Sequence, residues 1–307
     1  MRLIFIATGD IALPSFRRLL AQGRHPLALV TQPDKPVGRH QVLTSPVIKL
    51  EAEAAGIPVY QPEKISEIAG ELAALAPELI VVMAYGQILR KDVLSLASKA
   101  IINLHASVLP KYRGAACIQA AIAAGDEETG ITVMHVAREL DAGDVILTKT
   151  LEIAEDETGG SLHDRLAELA SEALAEAIGQ IEAGVAARVP QDAARSSYVS
   201  KLERDDGRLD WSLDPVVLER RIRAYEPWPG TFTLVEEGGK LKRLKIYPPT
   251  QVVDFEMKPG ELAFEEGALW VGCGKGSLAL QLVQPEGGRK MSAGDYWRGR
   301  KPAVFPV

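Results

Sequence analysis

Cysteine is scarce: Cys117 and Cys273 are the only two in 307 residues, with no CxxC pair and no Cys/His cluster. That excludes a disulfide framework and a zinc site, and it points to a reducing cytoplasm. Long apolar runs are missing too. The best candidate, LIVVMAYG at 79–86, is strand length, far short of the roughly 18 residues that suggest a membrane helix. The opening MRLIFIATGD carries no cleavage pattern after an extended apolar stretch and reads as a first strand. Two phosphate signatures are also absent. TGDIAL follows the first strand where a dinucleotide fold would carry GxGxxG, and neither GxxxxGKS nor GxxxxGKT occurs. GCGKGS at 272–277 lies between two apolar runs and reads as a hairpin turn. Positive charge is not in excess: 35 Lys and Arg stand against 41 Asp and Glu, net −6, which argues against a nonspecific coat on nucleic acid.

What is there is the composition of a globular protein, 47% hydrophobic and 25% charged, with length enough for two domains. Apolar, β-branched runs recur at 2–8, 26–32, 78–84, 100–105 and 131–136. Near-continuous runs of this kind predict buried parallel strands covered on both faces. Segments 13–23, 45–56, 65–76 and 115–125 have helical spacing or Ala-rich composition and supply the crossovers. The order predicts a doubly wound, mostly parallel α/β sheet. A long helix is expected at 161–184, with Leu162, Leu166, Leu169, Ala173, Ala177 and Ile181 as its stripe and Ser161 with Asp164 as its cap.

The stretch 189–207 has no sustained period and carries Pro, Ser and mixed charge, which reads as a linker. The expected division is therefore 1–188, a linker at 189–207, and 208–307. In the last part a short helix at 214–225 precedes short strands separated by Gly, Pro and Lys turns, the pattern of a small all-β barrel. Charge differs between the parts: residues 1–195 hold 18 basic against 25 acidic side chains, and 196–307 hold 17 against 16.

The chemistry-bearing signal is INLHASVLPKYRGAACIQ at 102–119. Asn103 and His105 are two apart on a strand, so their side chains share a face, at the carboxyl end where open α/β sheets bind ligands. A structural histidine with a backbone-bonded asparagine is the competing reading. Arg113 and Gly114, ahead of a helix, could engage an anion. Asp141 follows the 131–136 strand in a Gly-bounded loop; a carboxylate there could orient an imidazole, or Asp141 and Asp144 could simply form turns.

Asn103, His105 and Asp141, with SVLPKYRGAA between them, resemble the active-site signature of the enzymes that transfer formyl groups from 10-formyltetrahydrofolate to amines. TQPDKPVGRHQVLTSPVIKLEAEAAGIPVYQP at 31–62, LIVVMAYGQIL at 79–89, 198–233 and 280–300 are similar to the methionyl-tRNA formyltransferase branch, so the likeness spans nearly the whole chain. The resemblance implies a Rossmann-like domain followed by an OB-like β-barrel. It implies direct attack of the amine on the formyl carbon, served by Asn103, His105 and Asp141, with the division of base duty between His105 and Asp141 open. It further implies a folate site along Met83, Tyr85, Gly86, Ser107, Val108, Leu109 and Pro110, and no metal. The formyl acceptor would be the free amino group of methionyl-initiator tRNA, held by its acceptor stem, with Arg39, Arg204, Arg208, Lys240, Lys242, Arg243, Lys245 and Lys290 as phosphate contacts, and the enzyme a monomer. GRHQVLTSP at 38–46 is less basic than the family's usual loop, and Cys117 stands where the family has Pro. A sugar-nucleotide N-formyltransferase, or a nucleic-acid-binding module without activity, are the alternatives.

Overall fold

A computed structural model describes residues 1–38, 41–300, 302 and 304–306, apart from the side chain of Val37. The chain divides into two compact units, the first comprising 1–114, 129–151 and 163–198 and the second 115–128, 152–162 and 199–307.

The five apolar runs become strands β1 (Leu3–Ala7), β2 (Ala28–Val30), β6 (Leu79–Met83), β7 (Ala100–His105) and β9 (Glu128–His135), to which β5 (Val59–Tyr60) and β10 (Val145–Glu152) are added, while β8 (Arg113–Gly114) and β11 (Tyr198–Val199) form a separate short pair. The first seven form one sheet in the order β10-β9-β7-β6-β1-β2-β5. Helices α1 (Leu13–Ala21), α2 (Val47–Ala54), α3 (Ala69–Ala74) and α4 (Lys91–Leu94) connect the strands. Ile4, Ile6, Ile80, Val82 and Ile101 enter one buried cluster with Tyr85, Ile65 and Leu72. Phe5 faces the other way and packs on Phe16 of α1, ring centroids 5.6 Å apart. Burial on both faces explains why these strands read as continuous apolar runs rather than as alternation.

The pairs β1–β2, β1–β6, β2–β5 and β6–β7 are parallel as expected. The run at 131–136 is not: β9 is buried but antiparallel to β7. A parallel return needs a crossover helix packed on the sheet, whereas helix α5 (Cys117–Ala124) belongs to the second unit. Strand β10, unanticipated, alternates half-buried and exposed positions, as an edge strand does. A small hairpin, β3 (Lys35–Val37) with β4 (Val42–Thr44), also escaped the sequence reading. Asp34 and Ser45 close its base, 2.8 Å apart, and Lys49 and Gln61 bind the same carboxylate at 2.9 and 2.7 Å.

Helix α6 (Gly159–Ala183) starts two residues earlier than expected. Its cap is a reciprocal pair, Ser161 N–H to Thr158 Oγ1 at 3.1 Å and Thr158 N–H to Ser161 Oγ at 3.0 Å, and not Ser161 with Asp164. Leu169 lies off the buried stripe, where Ala170, Leu174 and Ile178 join Leu162, Leu166, Ala173, Ala177 and Ile181.

The second unit is built on an antiparallel sheet of β12 (Thr231–Glu237), β13 (Lys240–Val253), β16 (Ser277–Pro285), β15 (Ala268–Gly272) and β14 (Leu262–Glu265), in that order, with β17 (Met291–Ser292) on β16. The proline pair does not separate two strands: residues 240–253 are one strand, β13, whose register shifts between Tyr247 and Thr250 because Pro248 and Pro249 have no N–H for the ladder. Trp211 is wholly buried in its core, donates to Thr233 Oγ1 at 3.0 Å and stacks on Phe305. Helix α7 (Pro215–Ala224) starts with an Asp214 cap, contributes Leu218 and Ile222 to that core, and packs against α5. GCGKGS forms the β15–β16 hairpin turn, closed by Cys273 N–H to the Gly276 carbonyl at 3.0 Å.

Candidate active site

The i, i+2 spacing of Asn103 and His105 puts both side chains on one face of β7, the face shared with Ile101. Their cross-strand neighbours are Val82 on β6 and Met134 and Thr132 on β9. Because β9 runs antiparallel, the loop after it must fold back over that face for Asp141 to arrive, and Gly143 permits it: a Cβ there would stand 1.7 Å from the His135 carbonyl oxygen. The three residues do meet. Asp141 Oδ2 lies 3.7 Å from His105 Nδ1, and its Oδ1 accepts from Asn103 Nδ2 at 3.4 Å. Gly114 N–H donates to Oδ2 at 2.9 Å, the shortest hydrogen bond to the carboxylate.

His105 is buried, and its Nε2 is 2.9 Å from the Tyr112 carbonyl oxygen. A carbonyl only accepts, so Nε2 carries the proton and the Nδ1 lone pair faces Asp141. The backbone carbonyl therefore fixes the tautomer, and Asp141 stands where it meets an Nδ1–H once the ring takes a second proton. Tyr112 and Asp141 both hold left-handed backbone, φ 59° and 50°, and Ala84 beyond β6 does the same at 47°. Each costs on the order of 1 kcal/mol for a non-glycine residue, strain that the surrounding bonds must offset.

Those bonds come from a stretch read from sequence as linker. Gln191 Nε2 donates to the carbonyls of Asp141 and Gly143, both at 2.8 Å, and Ser197 Oγ accepts from Tyr112 N–H at 2.8 Å. Arg113 is not available to an external anion. It is buried, with Nε and Nη2 donating to Gln191 Oε1 at 3.1 and 2.8 Å and Nη1 to the Tyr198 hydroxyl at 2.9 Å. Sequence reasoning missed Gln191, Ser197 and Tyr198, because no local pattern distinguishes them from linker residues.

Among the residues assigned to folate, Ser107 to Pro110 follow β7 directly. Ser107 Oγ donates to the Lys111 carbonyl at 2.6 Å, and Thr132 Oγ1 donates to the Ser107 carbonyl and accepts from Leu109 N–H, so the loop is rigidly backed while Val108 stays exposed. Gly86 is open, with nothing near where a side chain would stand. Met83 points to the opposite face, its sulfur 4.0 Å from Ser15 Oγ, and the Tyr85 ring is enclosed in the apolar cluster, where burial pushes its hydroxyl up to about 12. Among the described residues no group of His, Cys, Asp or Glu could hold a metal ion. Cys117 and Cys273 are buried and outside any disulfide, and burial pushes the Cys273 thiol up to about 12, which makes it inert.

Of the cations assigned to phosphate, Arg39 lies outside the described residues. Arg243 and Lys245 share one face of β13, Arg243 over the Phe232 ring at 4.2 Å and Lys290 over the neighbouring Tyr247 ring at 4.0 Å. Arg208 bridges to Phe232 on β12 and so joins them. Lys240 and Lys242 alternate onto the other face, Lys242 paired with Glu237 at 3.3 Å, and Arg204 is exposed in a short turn before β12. Arg243 is itself paired with Asp205 at 2.7 Å.

A sequence model of the family described as formyl transferase matches residues 1–178, and one described as formyl transferase, C-terminal domain, matches 201–301. A methionyl-tRNA formyltransferase of Akkermansia muciniphila is 48% identical over 299 residues, which cover 95% of this chain and 94% of that one. Among solved structures, HypX from Aquifex aeolicus in complex with tetrahydrofolic acid superposes with a TM-score of 0.65 at 19% identity over 97% of this chain, which spans about half (47%) of HypX. An N-formyltransferase from Helicobacter canadensis with folinic acid and dTDP-3-aminofucose gives a TM-score of 0.66 at 17% identity, covering 95% and 100% of the two chains. At such identities the structural likeness speaks for the fold alone. With both family models in sequence order and near-full-length identity to a curated relative, the chain belongs to the formyl transferase family, in its methionyl-tRNA formyltransferase branch.

Proposed function

We propose that the protein transfers the formyl group of 10-formyltetrahydrofolate to the free amino group of methionyl-initiator tRNA, in the cytoplasm and as a monomer. The observation that carries this reading is the convergence of Asn103, His105 and Asp141 on one face at the carboxyl end of β7. The folate would lie along the backbone of residues 84–86 and 107–110, where the open Gly86 and the exposed, apolar Val108 fit a flat, mostly apolar ring system. Bound there, it supplies an activated formyl carbon for attack by the amine.

The residues do the rest. His105 Nδ1 carries the free lone pair and takes the proton that the attacking amine must lose, Asp141 stabilises the imidazolium that results, and His105 would return the proton to the departing folate nitrogen as its bond to the formyl carbon breaks. The Asn103 amide, bonded to Asp141 only at 3.4 Å, is the donor free to turn toward the oxygen that gains charge. No nucleophilic Ser or Cys is required, in keeping with both cysteines being buried.

Residues 1–188 would carry this chemistry and 208–307 the bulk of tRNA binding, joined through 189–207. On the second unit the face of β13 bearing Arg208, Arg243, Lys245 and Lys290 with Phe232 and Tyr247 suits phosphates and exposed bases. The test is a formyl-transfer assay with 10-formyltetrahydrofolate, offering methionyl-initiator tRNA and a UDP-amino sugar in parallel. Formylation of the tRNA is expected; formylation of the sugar alone would overturn the acceptor assignment and leave the chemistry standing. Light scattering on the eluting protein tests the monomer.

A further inference from the structure

Asp141 is held from two directions, and both lead to Arg113. Its carboxylate accepts the N–H of Gly114, the residue next to Arg113, while its carbonyl accepts Gln191 Nε2, whose oxygen is gripped by the Arg113 guanidinium. Gln191 also spans Asp141 to Gly143, tying together the two carbonyls of a loop whose backbone is left-handed at Asp141. The same segment is fastened elsewhere along that loop. Val189 makes a two-way backbone bridge with Val145, and the Tyr198 hydroxyl donates to Glu139 at 3.0 Å. Residues 189–198 are thus a brace for the catalytic loop rather than free linker.

We propose that Gln191, oriented by the buried Arg113, is the positioning residue that sets Asp141 against His105, and that 189–198 acts in formyl transfer through it. A side-chain amide is the group the geometry demands, because it donates two N–H bonds to carbonyls while its oxygen accepts from a cation. Glutamate keeps the size and the bond to Arg113 but puts an acceptor against two carbonyls. With no donor to hold it, Asp141 relaxes from its strained backbone and its carboxylate moves from the imidazole. A misplacement of about 1 Å costs a rate factor on the order of 100-fold even when substrate contacts are intact.

This inference rests on the formyl-transfer reading, so wild type is measured first with methionyl-tRNA and 10-formyltetrahydrofolate. Gln191→Glu and Gln191→Leu are then compared with it at a temperature where melts show all three folded. The expected result is a kcat lower by on the order of 100-fold in both, with KM for each substrate within about twofold, and a smaller loss for Arg113→Lys, which keeps charge but not the fork. A Gln191→Glu protein with unchanged kcat, or a loss confined to KM or to the unfolded fraction, overturns the positioning role. An inactive wild type overturns instead the reading beneath it.

Discussion

The loops around Asp141 and the cationic face of β13 are both polar, yet they are built in opposite ways. Around Asp141 a buried guanidinium, an amide, a carboxylate and an imidazole each have one geometry in which all their bonds are made. On β13 the cations are exposed, rest on aromatic rings or pair with single carboxylates, and can swing to other partners. Burial makes the first region intolerant of any unpaired group, while water and salt make the second forgiving. Chemistry that needs atoms held in place belongs in the first; recognition of a long polyanion suits the second.

The comparison predicts unequal sensitivity. His105→Ala should lower kcat by about 100- to 10,000-fold at temperatures where the variant is folded, with a lower melting temperature because the Tyr112 carbonyl loses its partner and tRNA affinity nearly unchanged. Turnover close to wild type would remove the imidazole from the reaction. Gly143→Ala comes next, because its methyl would collide with the His135 carbonyl rather than with a mobile side chain. It should cost about 3 kcal/mol, the upper end of ordinary single substitutions, readable in urea unfolding, and activity should fall with it.

Cations on β13 should respond mildly and in proportion. Lys245→Ala and Lys290→Ala should each weaken tRNA binding a few-fold and reduce the slope of log affinity against log salt by about 1 for each phosphate no longer neutralised. A slope that does not move would take that cation off the tRNA. The smallest effect concerns Asp34, which Gln61, Lys49 and Ser45 hold down at about 2, below its ordinary 3.8. A depressed carboxylate contributes stability above its unfolded value and loses it as pH falls through the folded one. The melting-temperature gap between wild type and Asp34→Asn should therefore be constant at neutral pH and close between about pH 4 and about pH 2; a gap that persists at pH 2 would show that the carboxylate charge does not hold the hairpin base.

Much of this was legible beforehand where the signal is local. Buried strands announce themselves as apolar runs, and the spacing of Asn103 and His105 implies a shared face whatever the rest of the chain does. The direction of β9 was not legible, since an apolar run reads the same in either direction. Tyr112 as the partner of His105 was hidden for another reason: it contributes a carbonyl oxygen, which every residue has. Gln191 lies 50 residues from Asp141 and is flanked by Pro190 and Asp192, so nothing near it in sequence reports what it bonds.

By itself the sequence determined which segments must be buried, which face the polar residues of β7 share, and that an α/β pattern gives way to a mostly β one, because periodicity and composition act over a few residues at a time. Only the tertiary structure decided that residues 115–128 and 152–162 cluster with the second unit, that a segment with linker composition braces the loop carrying Asp141, that Arg113 serves inside and not at a ligand, and that four of the assigned cations meet on one face. Those outcomes depend on satisfying buried donors and acceptors drawn from distant parts of the chain, a condition that exists only once the chain has folded.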